Sequence, residues 1–291
     1  MSELSVIVAN YNNELYLEQC LDSILSQTFK SLEVIVADDS SEDKSPEIIR
    51  EYEKKYPHII KGKYNKCNNG VATNRHLAIL EATGQYITTL DSDDYYYDDT
   101  KLENEMTLMF EYADRDICAF SNIVLVAQDS SFIQQCGTSD NIKQGNIINA
   151  IISRCCMIPR DFVMSKKAYL ALGGYDLLLP IYEDWDLKIR LSAVHEFYYT
   201  GINGTAYRRH GSGLSSAPIN EHIVVMDRIF SKNLYLVDSS VRKEISVQFA
   251  AYKKNILAEY DTFGCSTGIS KKLDKFYQGI KKYFKSEKSK W

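Results

Sequence analysis

Residues 4–41 read LSVIVANYNNELYLEQCLDSILSQTFKSLEVIVADDSS. The stretch holds two short apolar runs, LSVIVA at 4–9 and LEVIVA at 32–37, both rich in β-branched residues. Such runs suit strands covered on both faces. Between them, residues 15–27 put Leu17, Leu21, Ile24 and Leu25 on one helical face. The alternation continues outward. Ser45-Pro46-Glu47 opens a helix, with Ser45 placed to cap, Pro46 suited to the first turn and Glu47 complementing the dipole. A weaker strand lies at 58–64, a helix at 70–82 that stops at Gly84, and a strand, QYITTL, at 85–90. A helix at 102–112 and a strand at 117–126 follow. Strands alternating with helices over the first 126 residues predict an α/β fold, a mostly parallel sheet with helices on both faces.

Residues 127–160 are less regular and read as strand-and-loop insertions. Short helices are expected at 166–172 and 183–193 around the Gly173-Gly174 turn, and longer ones at 223–236 and 241–260. The clearest break falls near 215–218 and sets off a C-terminal helical extension.

Composition narrows the function classes. The chain has 291 residues, 45% hydrophobic and 25% charged, which is globular usage and excludes a long disordered chain. No apolar run approaches the roughly 18 residues of a membrane span, and no basic-then-apolar leader opens the chain. A cytoplasmic protein is expected. Seven cysteines without paired CxxC spacing read as reduced thiols. The net charge of -5 argues against a general nucleic-acid binder. That charge is uneven: residues 271–291 hold eight lysines and two acids, +6, so the other 270 residues sum to -11. Ile269, Leu273, Phe276, Tyr277, Ile280 and Phe284 recur at helical spacing among the lysines, a pattern suited to an anionic membrane surface. A solvated helix packed on its own domain fits the same spacing.

Open parallel sheets bind ligands beyond the carboxyl ends of their strands. Three polar clusters follow predicted strands: Asn10-Tyr11-Asn12, Asp38-Asp39-Ser40-Ser41 and Asp91-Ser92-Asp93-Asp94. The first turn lacks glycine, and neither GxGxxG nor GxxxxGK[ST] occurs, which argues against dinucleotide and P-loop enzymes. Packed carboxylates repel one another and phosphate unless a divalent cation sits among them. Asp-x-Asp on a loop suits Mg²⁺ or Mn²⁺, which take oxygen ligands and bridge to a diphosphate. The economical reading is a metal-dependent nucleotide-diphosphate site.

In family order, SVIVANYN, LDSILSQTFKSLEVIVADDSSED, NNGVATNRHLAILEATGQYITTLDSDD, YEDWDLKIRL and YRRHGSGLS span residues 4–215, and together they resemble the family 2 glycosyltransferases of GT-A fold. The resemblance implies an inverting transfer of a sugar, most simply a uridine-linked hexose or N-acetylhexosamine, to a hydroxyl of a glycan or polyprenyl-linked acceptor. Tyr11 would lie against the base and Asp39 would bond the pyrimidine edge. Arg75, Asp91 and Ser92 would help hold the nucleotide. Asp93 or Asp94 would bind the metal. Asp184 matches the catalytic base. Arg208 and His210 match an Arg-x-His that reaches the phosphates or the metal. The chain departs from the family at Ala9, where Pro or Thr is usual, and loses one hydroxyl contact to the base. The resemblance divides the chain into a GT-A domain, 1–215, with a nucleotide half (1–126) and an acceptor half (127–215), and an extension, 216–291. Its usual company, with the Lys/Asn/Tyr-rich composition, implies bacterial polysaccharide assembly, and the lysine-rich tail would hold the protein peripherally on the cytoplasmic face of the inner membrane. Two rivals stay open: a sugar nucleotidyltransferase, although no glycine-rich basic loop follows the first strand, and a non-catalytic nucleotide-sugar-binding scaffold on the same fold.

Overall fold

Strand β1 (Leu4–Asn10) is buried along its whole length, as is β2 (Leu32–Asp38) apart from Glu33. The computed structural model that shows this describes residues 2–138, 140–210 and 218–263. The β-branched run of β1 alternates between two faces. Ile7 joins Ile35 and Ile87 in one core, while Val6 and Val8 join Val34, Val36 and Leu90 in another. Helix α3 (Val71–Glu81) covers the first face. The second is covered by α1 (Leu17–Leu25), α2 (Ser45–Lys55) and α4 (Lys101–Glu111). Burial on both faces is why the strand sequences carry no polar alternation.

The first sheet runs β3-β2-β1-β4-β8, with β3 at Ile60–Tyr64, β4 at Tyr86–Asp91 and β8 at Met164–Ser165. All pairings are parallel except β4 with β8. Strand order reverses at β1, so a crevice opens between the exits of β1 and β4. Register aligns those exits: Asn10 lies beside Asp38, and Ala9 lies between Ala37 and Asp91. Three polar clusters expected on one edge therefore stand on one edge.

A second sheet, not anticipated from sequence, runs β5-β9-β6-β7. The strand expected at 117–126 is β6 (Cys118–Val126), which belongs here. Its partners are β9 (Phe197–Arg208), β5 (Tyr95–Tyr96) beyond β9, and β7 (Phe132–Gln135). Strand β9 carries Gly201 and Gly204 and is only partly buried, so it shows neither a clean apolar run nor strict alternation. Gly204 is required by close approach, since a Cβ there would stand 2.6 Å from Ser121 Cβ and 2.7 Å from Lys101 Cγ. Residues 127–160 also contain a short helix, α5 (Ile148–Ile152), in place of strands and loops alone.

The helices expected at 166–172 and 183–193 are α6 (Lys166–Ala171) and α7 (Glu183–Ser192). Helices α8 (Ile219–Asn233) and α9 (Arg242–Phe263) pack into the same core as α5 and α7, through Ile229, Phe230, Phe249 and Ile256 among others. Ser45 does not cap α2 but is its first residue, and Asp43 Oδ1 accepts its N–H at 2.9 Å. Most of the break near 215–218 and all of the lysine-rich segment lie outside the described residues. No helix among the described residues is long and apolar enough to cross a membrane.

Candidate active site

The exits of β1 and β2 are built as a hydrogen-bonded floor. Asp38 accepts from Asn10 Nδ2 at 2.7 Å and from Ser41 Oγ at 2.6 Å, so it scaffolds the loop. Asp39 accepts the backbone N–H of Asn69 at 3.0 Å and of Gly70 at 2.9 Å, and Nδ2 of Asn65 at 2.9 Å. Its carboxylate thus fastens the segment that leads into α3, rather than capping α2. Gly70 adopts φ 82°, a conformation that glycine takes without strain. Tyr11 stands at the mouth, 46% exposed, with its ring free to meet a planar ligand.

The loop after β4 concentrates negative charge, and each acid is met from a distant part of the chain. Asp91 is bridged by Arg75 and Arg160. Burial opposes its charge, but these two guanidinium groups hold it below the usual carboxylate range. Ser92 is buried and accepts from Asn13 Nδ2 at 2.9 Å. Asp93, 22% exposed, pairs with His210 Nε2 at 2.8 Å. Asp94 accepts the Arg208 N–H at 2.8 Å and meets Arg160 Nη2 at 3.3 Å. Burial, then Asp93 and Asp91, push Asp94 well above the ordinary value. Carboxylate oxygens of Asp91, Asp93 and Asp94 lie within 4.8 Å of one another. Three hard oxygen donors with residual mutual repulsion are a donor set that fits a divalent cation of the Mg²⁺ or Mn²⁺ kind.

The opposite wall is the N-terminus of α7. Tyr182 precedes it with φ 64°, a strained value for a residue with a side chain. Its hydroxyl lies 2.9 Å from His222 Nδ1, and the Arg154 guanidinium covers its ring at 4.9 Å. The next two acids are driven apart by their surroundings. Glu183 is buried against Arg75; burial, with the nearby Asp184 charge, raises it despite that arginine. Asp184 keeps 25% of its side chain exposed and accepts from Lys188 Nζ at 2.8 Å. Burial alone would raise it, but Lys188, with Arg160 and Arg154 beyond, holds it well below the ordinary range. Paired acids split in this way are typical of sites with separate chemical roles.

Arg75 spans the cleft, binding Asp91 on one wall and Glu183 on the other while itself fully buried. It acts through those acids, not as a surface contact. Arg208 is also engaged by the protein. Its guanidinium donates to Asp93 O, Gln128 O, Ser130 Oγ and Gln19 Oε1, four of its five N–H groups. It lies 4.8 Å from the Tyr16 ring and 5.4 Å from that of Tyr95. The structure thus brings Asp91, Ser92, Asp93, Asp94, Arg75, Arg208 and His210 together, and puts Glu183 and Asp184 across from them. Sequence reasoning missed Arg160 and Lys188. The i,i+4 spacing of Asp184 and Lys188 on a helix was a usable signal; Arg160 sits in an irregular stretch and carried none.

A family model described as "Glycosyl transferase family 2" matches residues 5–163. An uncharacterized protein of Mycobacterium tuberculosis is 28% identical over 217 residues, 72% of this chain and 60% of that protein. This chain therefore spans about three fifths of that relative's length. The putative teichuronic acid biosynthesis glycosyltransferase TuaG of Bacillus subtilis is 37% identical over 132 residues, 44% of this chain and 49% of that one. Among solved structures, S. aureus TarS 1-349 in complex with UDP-GlcNAc superposes with TM-score 0.70 at 19% identity, covering 96% of this chain and 82% of that one. The same protein in complex with UDP gives TM-score 0.65 at 19% identity, over 86% of this chain and 71% of that one. At such identity the superposition establishes the GT-A fold and nothing finer.

Proposed function

The chain belongs to glycosyl transferase family 2, and on that premise we propose that it transfers a sugar, with inversion, from a uridine diphosphate donor to a hydroxyl of a glycan or lipid-linked acceptor. One observation carries the reading. Arg75 ties Asp91, at the exit of β4, to Glu183, the neighbour of Asp184. A nucleotide edge and a candidate base therefore face each other across one cleft.

In this reading Tyr11 stacks on the base, Asp39 borders the pyrimidine edge, and Ala9 leaves room beside it. Asp91 and Ser92 face the ribose and the sugar. Asp184 takes the acceptor proton as the new bond to the anomeric carbon forms and the bond to the diphosphate oxygen breaks. Asp93 and Asp94, with His210, would hold a Mn²⁺ or Mg²⁺ ion, whose charge would neutralise the departing diphosphate. Arg208 serves by holding the Asp93 carbonyl with its guanidinium and the Asp94 carboxylate with its backbone N–H. Hexose or N-acetylhexosamine donors are the first to try, and polysaccharide biosynthesis is the setting that the name of TuaG, a putative teichuronic acid biosynthesis glycosyltransferase, suggests. The division at residue 215 and peripheral contact with an anionic membrane belong to the same proposal.

The test is a panel of nucleotide sugars with Mn²⁺, read first by thermal shift and then by product analysis. One donor should stabilise strongly, since a ligand at 100 times its Kd adds about 2.7 kcal/mol. Turnover should release the nucleoside diphosphate. Conversion of the nucleotide sugar to nucleoside triphosphate and sugar 1-phosphate when pyrophosphate is added would instead mark a nucleotidyltransferase, and binding without any turnover across acceptors would mark a scaffold.

A further inference from the structure

Arg160 lies just ahead of β8, and its position is over-determined. Its N–H donates to Tyr207 Oη at 3.0 Å, and Tyr207 Oη in turn donates to Asp161 Oδ1 at 2.7 Å. Its guanidinium lies 4.6 Å from the Tyr207 ring centre. From there it bridges Asp91 Oδ2 and Asp94 Oδ2, the latter at 3.3 Å, across 69 and 66 residues of chain. Those two carboxylates belong to the cluster of three whose oxygens lie within 4.8 Å of one another. The other cations of the cleft are committed elsewhere: Arg75 is buried between Asp91 and Glu183, Lys188 between Asp184 and Ile158 O, and Arg208 among Gln19, Gln128 and Ser130. Arg160 alone of these four keeps a third of its side chain, 33%, open to solvent.

A divalent cation that enters this cluster meets a positive charge already sharing its ligands. Like charges a few ångströms apart repel strongly in a partly dehydrated cleft. A guanidinium also fits two carboxylates in a planar fork that a diphosphate reproduces. We propose that Arg160 is a resident counter-ion of the acid loop, displaced when metal and donor diphosphate enter together, so that it makes the binding of each depend on the other. This rests on the metal-assisted reading above. Before donor arrives, Arg160 holds Asp91 and Asp94 in place and keeps the free cation weakly bound. Once the diphosphate is present, the displaced guanidinium has a new anionic partner, and the cation takes the carboxylates without that repulsion.

The experiment titrates Mn²⁺ alone, by calorimetry and by the loss of its free-ion electron paramagnetic resonance signal, into wild type, Arg160→Met and Arg160→Gln, then repeats it with UDP. Circular dichroism checks folding. Removing a residue beside a metal site ordinarily weakens it; here both variants should bind Mn²⁺ alone about tenfold tighter or more, a gain of about 1.4 kcal/mol per tenfold. The tightening by UDP seen in wild type should shrink by a similar factor. Arg160→Lys keeps charge and volume where a neutral side chain would not fold, and one ammonium cannot span both acids. It should shift Mn²⁺ binding the same way, by less. Folded variants that bind Mn²⁺ alone no more tightly than wild type would overturn the role of Arg160 while leaving the glycosyltransferase reading intact. Wild type that binds no Mn²⁺ even with UDP would bring down the metal-assisted reading itself, and this inference with it.

Discussion

Asp184→Asn is the substitution that separates chemistry from folding most cleanly. The amide keeps the shape of the carboxylate and an oxygen that can still accept from Lys188, now 2.8 Å away. What it loses is charge and basicity. The main structural cost falls on that contact, with the more distant Arg160 and Arg154 adding less. A hydrogen bond to a charged partner is worth about 1.5–3 kcal/mol, and an oxygen acceptor remains, so a loss of about 1–2 kcal/mol is expected. Lys188 keeps a second acceptor in Ile158 O at 2.9 Å, so its ammonium is not orphaned. For a chain of this size each kcal/mol moves Tm by about 2–4 °C, and the variant stays folded at assay temperature. Nucleotide binding should stay within about twofold, because Tyr11, Asp39 and Asp91 lie on the β1, β2 and β4 exits and not on α7. The chemical loss is far larger: general-base assistance contributes about 10²–10⁴ in rate. The assay pairs calorimetric titration of UDP with nucleoside diphosphate release under saturating donor and acceptor. A fall in kcat of at least about a hundredfold with unchanged UDP affinity is the expected pattern. Turnover within tenfold of wild type would show that another group takes the proton.

Lys188→Met tests the electrostatics behind that role. Burial raises Asp184, and Lys188, with Arg160 and Arg154, more than reverses it, so the wild-type acid limb of kcat/KM should lie below the ordinary carboxylate range. Without Lys188 the folded pKa rises, the base is protonated at higher pH, and the acid limb should move upward; an unmoved limb assigns it to another group. The stability that this depressed carboxylate contributes is present above its unfolded pKa and fades as pH falls toward the folded one, so acid unfolding of the variant should show a weaker pH dependence. Asp93→Ala removes a candidate metal ligand and the partner of His210, so UDP titrations with and without Mn²⁺ should converge, a loss of about 10–100-fold in metal-assisted affinity; curves that still separate as in wild type exclude Asp93. Deleting residues 269–291, which hold the eight lysines, should release the protein from anionic vesicles in a sedimentation assay; a truncated protein that still pellets with them ends the membrane proposal.

The legible parts of this protein are those whose physics is local. Strands β1 and β2 stood out because burial on both faces leaves uninterrupted apolar runs. Their shared exit then followed from chain direction alone, and Asp38, Asp39 and the Asp91–Asp94 loop fell on one edge. Strand β9 did not stand out, because a half-buried strand with two glycines shows neither run nor period. The second sheet was therefore invisible, and with it the reason Arg208 and His210 arrive beside Asp93 and Asp94. The same divide runs through the site. Acids cluster in sequence, so they can be read; apart from Lys188, four residues from Asp184, their counter-ions come from more distant parts of the chain. Arg160 reaches Asp91 across 69 residues, Arg208 reaches Asp94 across 114, and Arg75 reaches Glu183 across 108. A residue's type can be matched to a family motif, but whether its charge is free to meet a ligand depends on these partners. Arg208 illustrates the point: its motif suggested a phosphate contact, and its fold position spends most of its guanidinium on the protein. The acids locate the site, and the distribution of arginines among them decides which charge a substrate can still find.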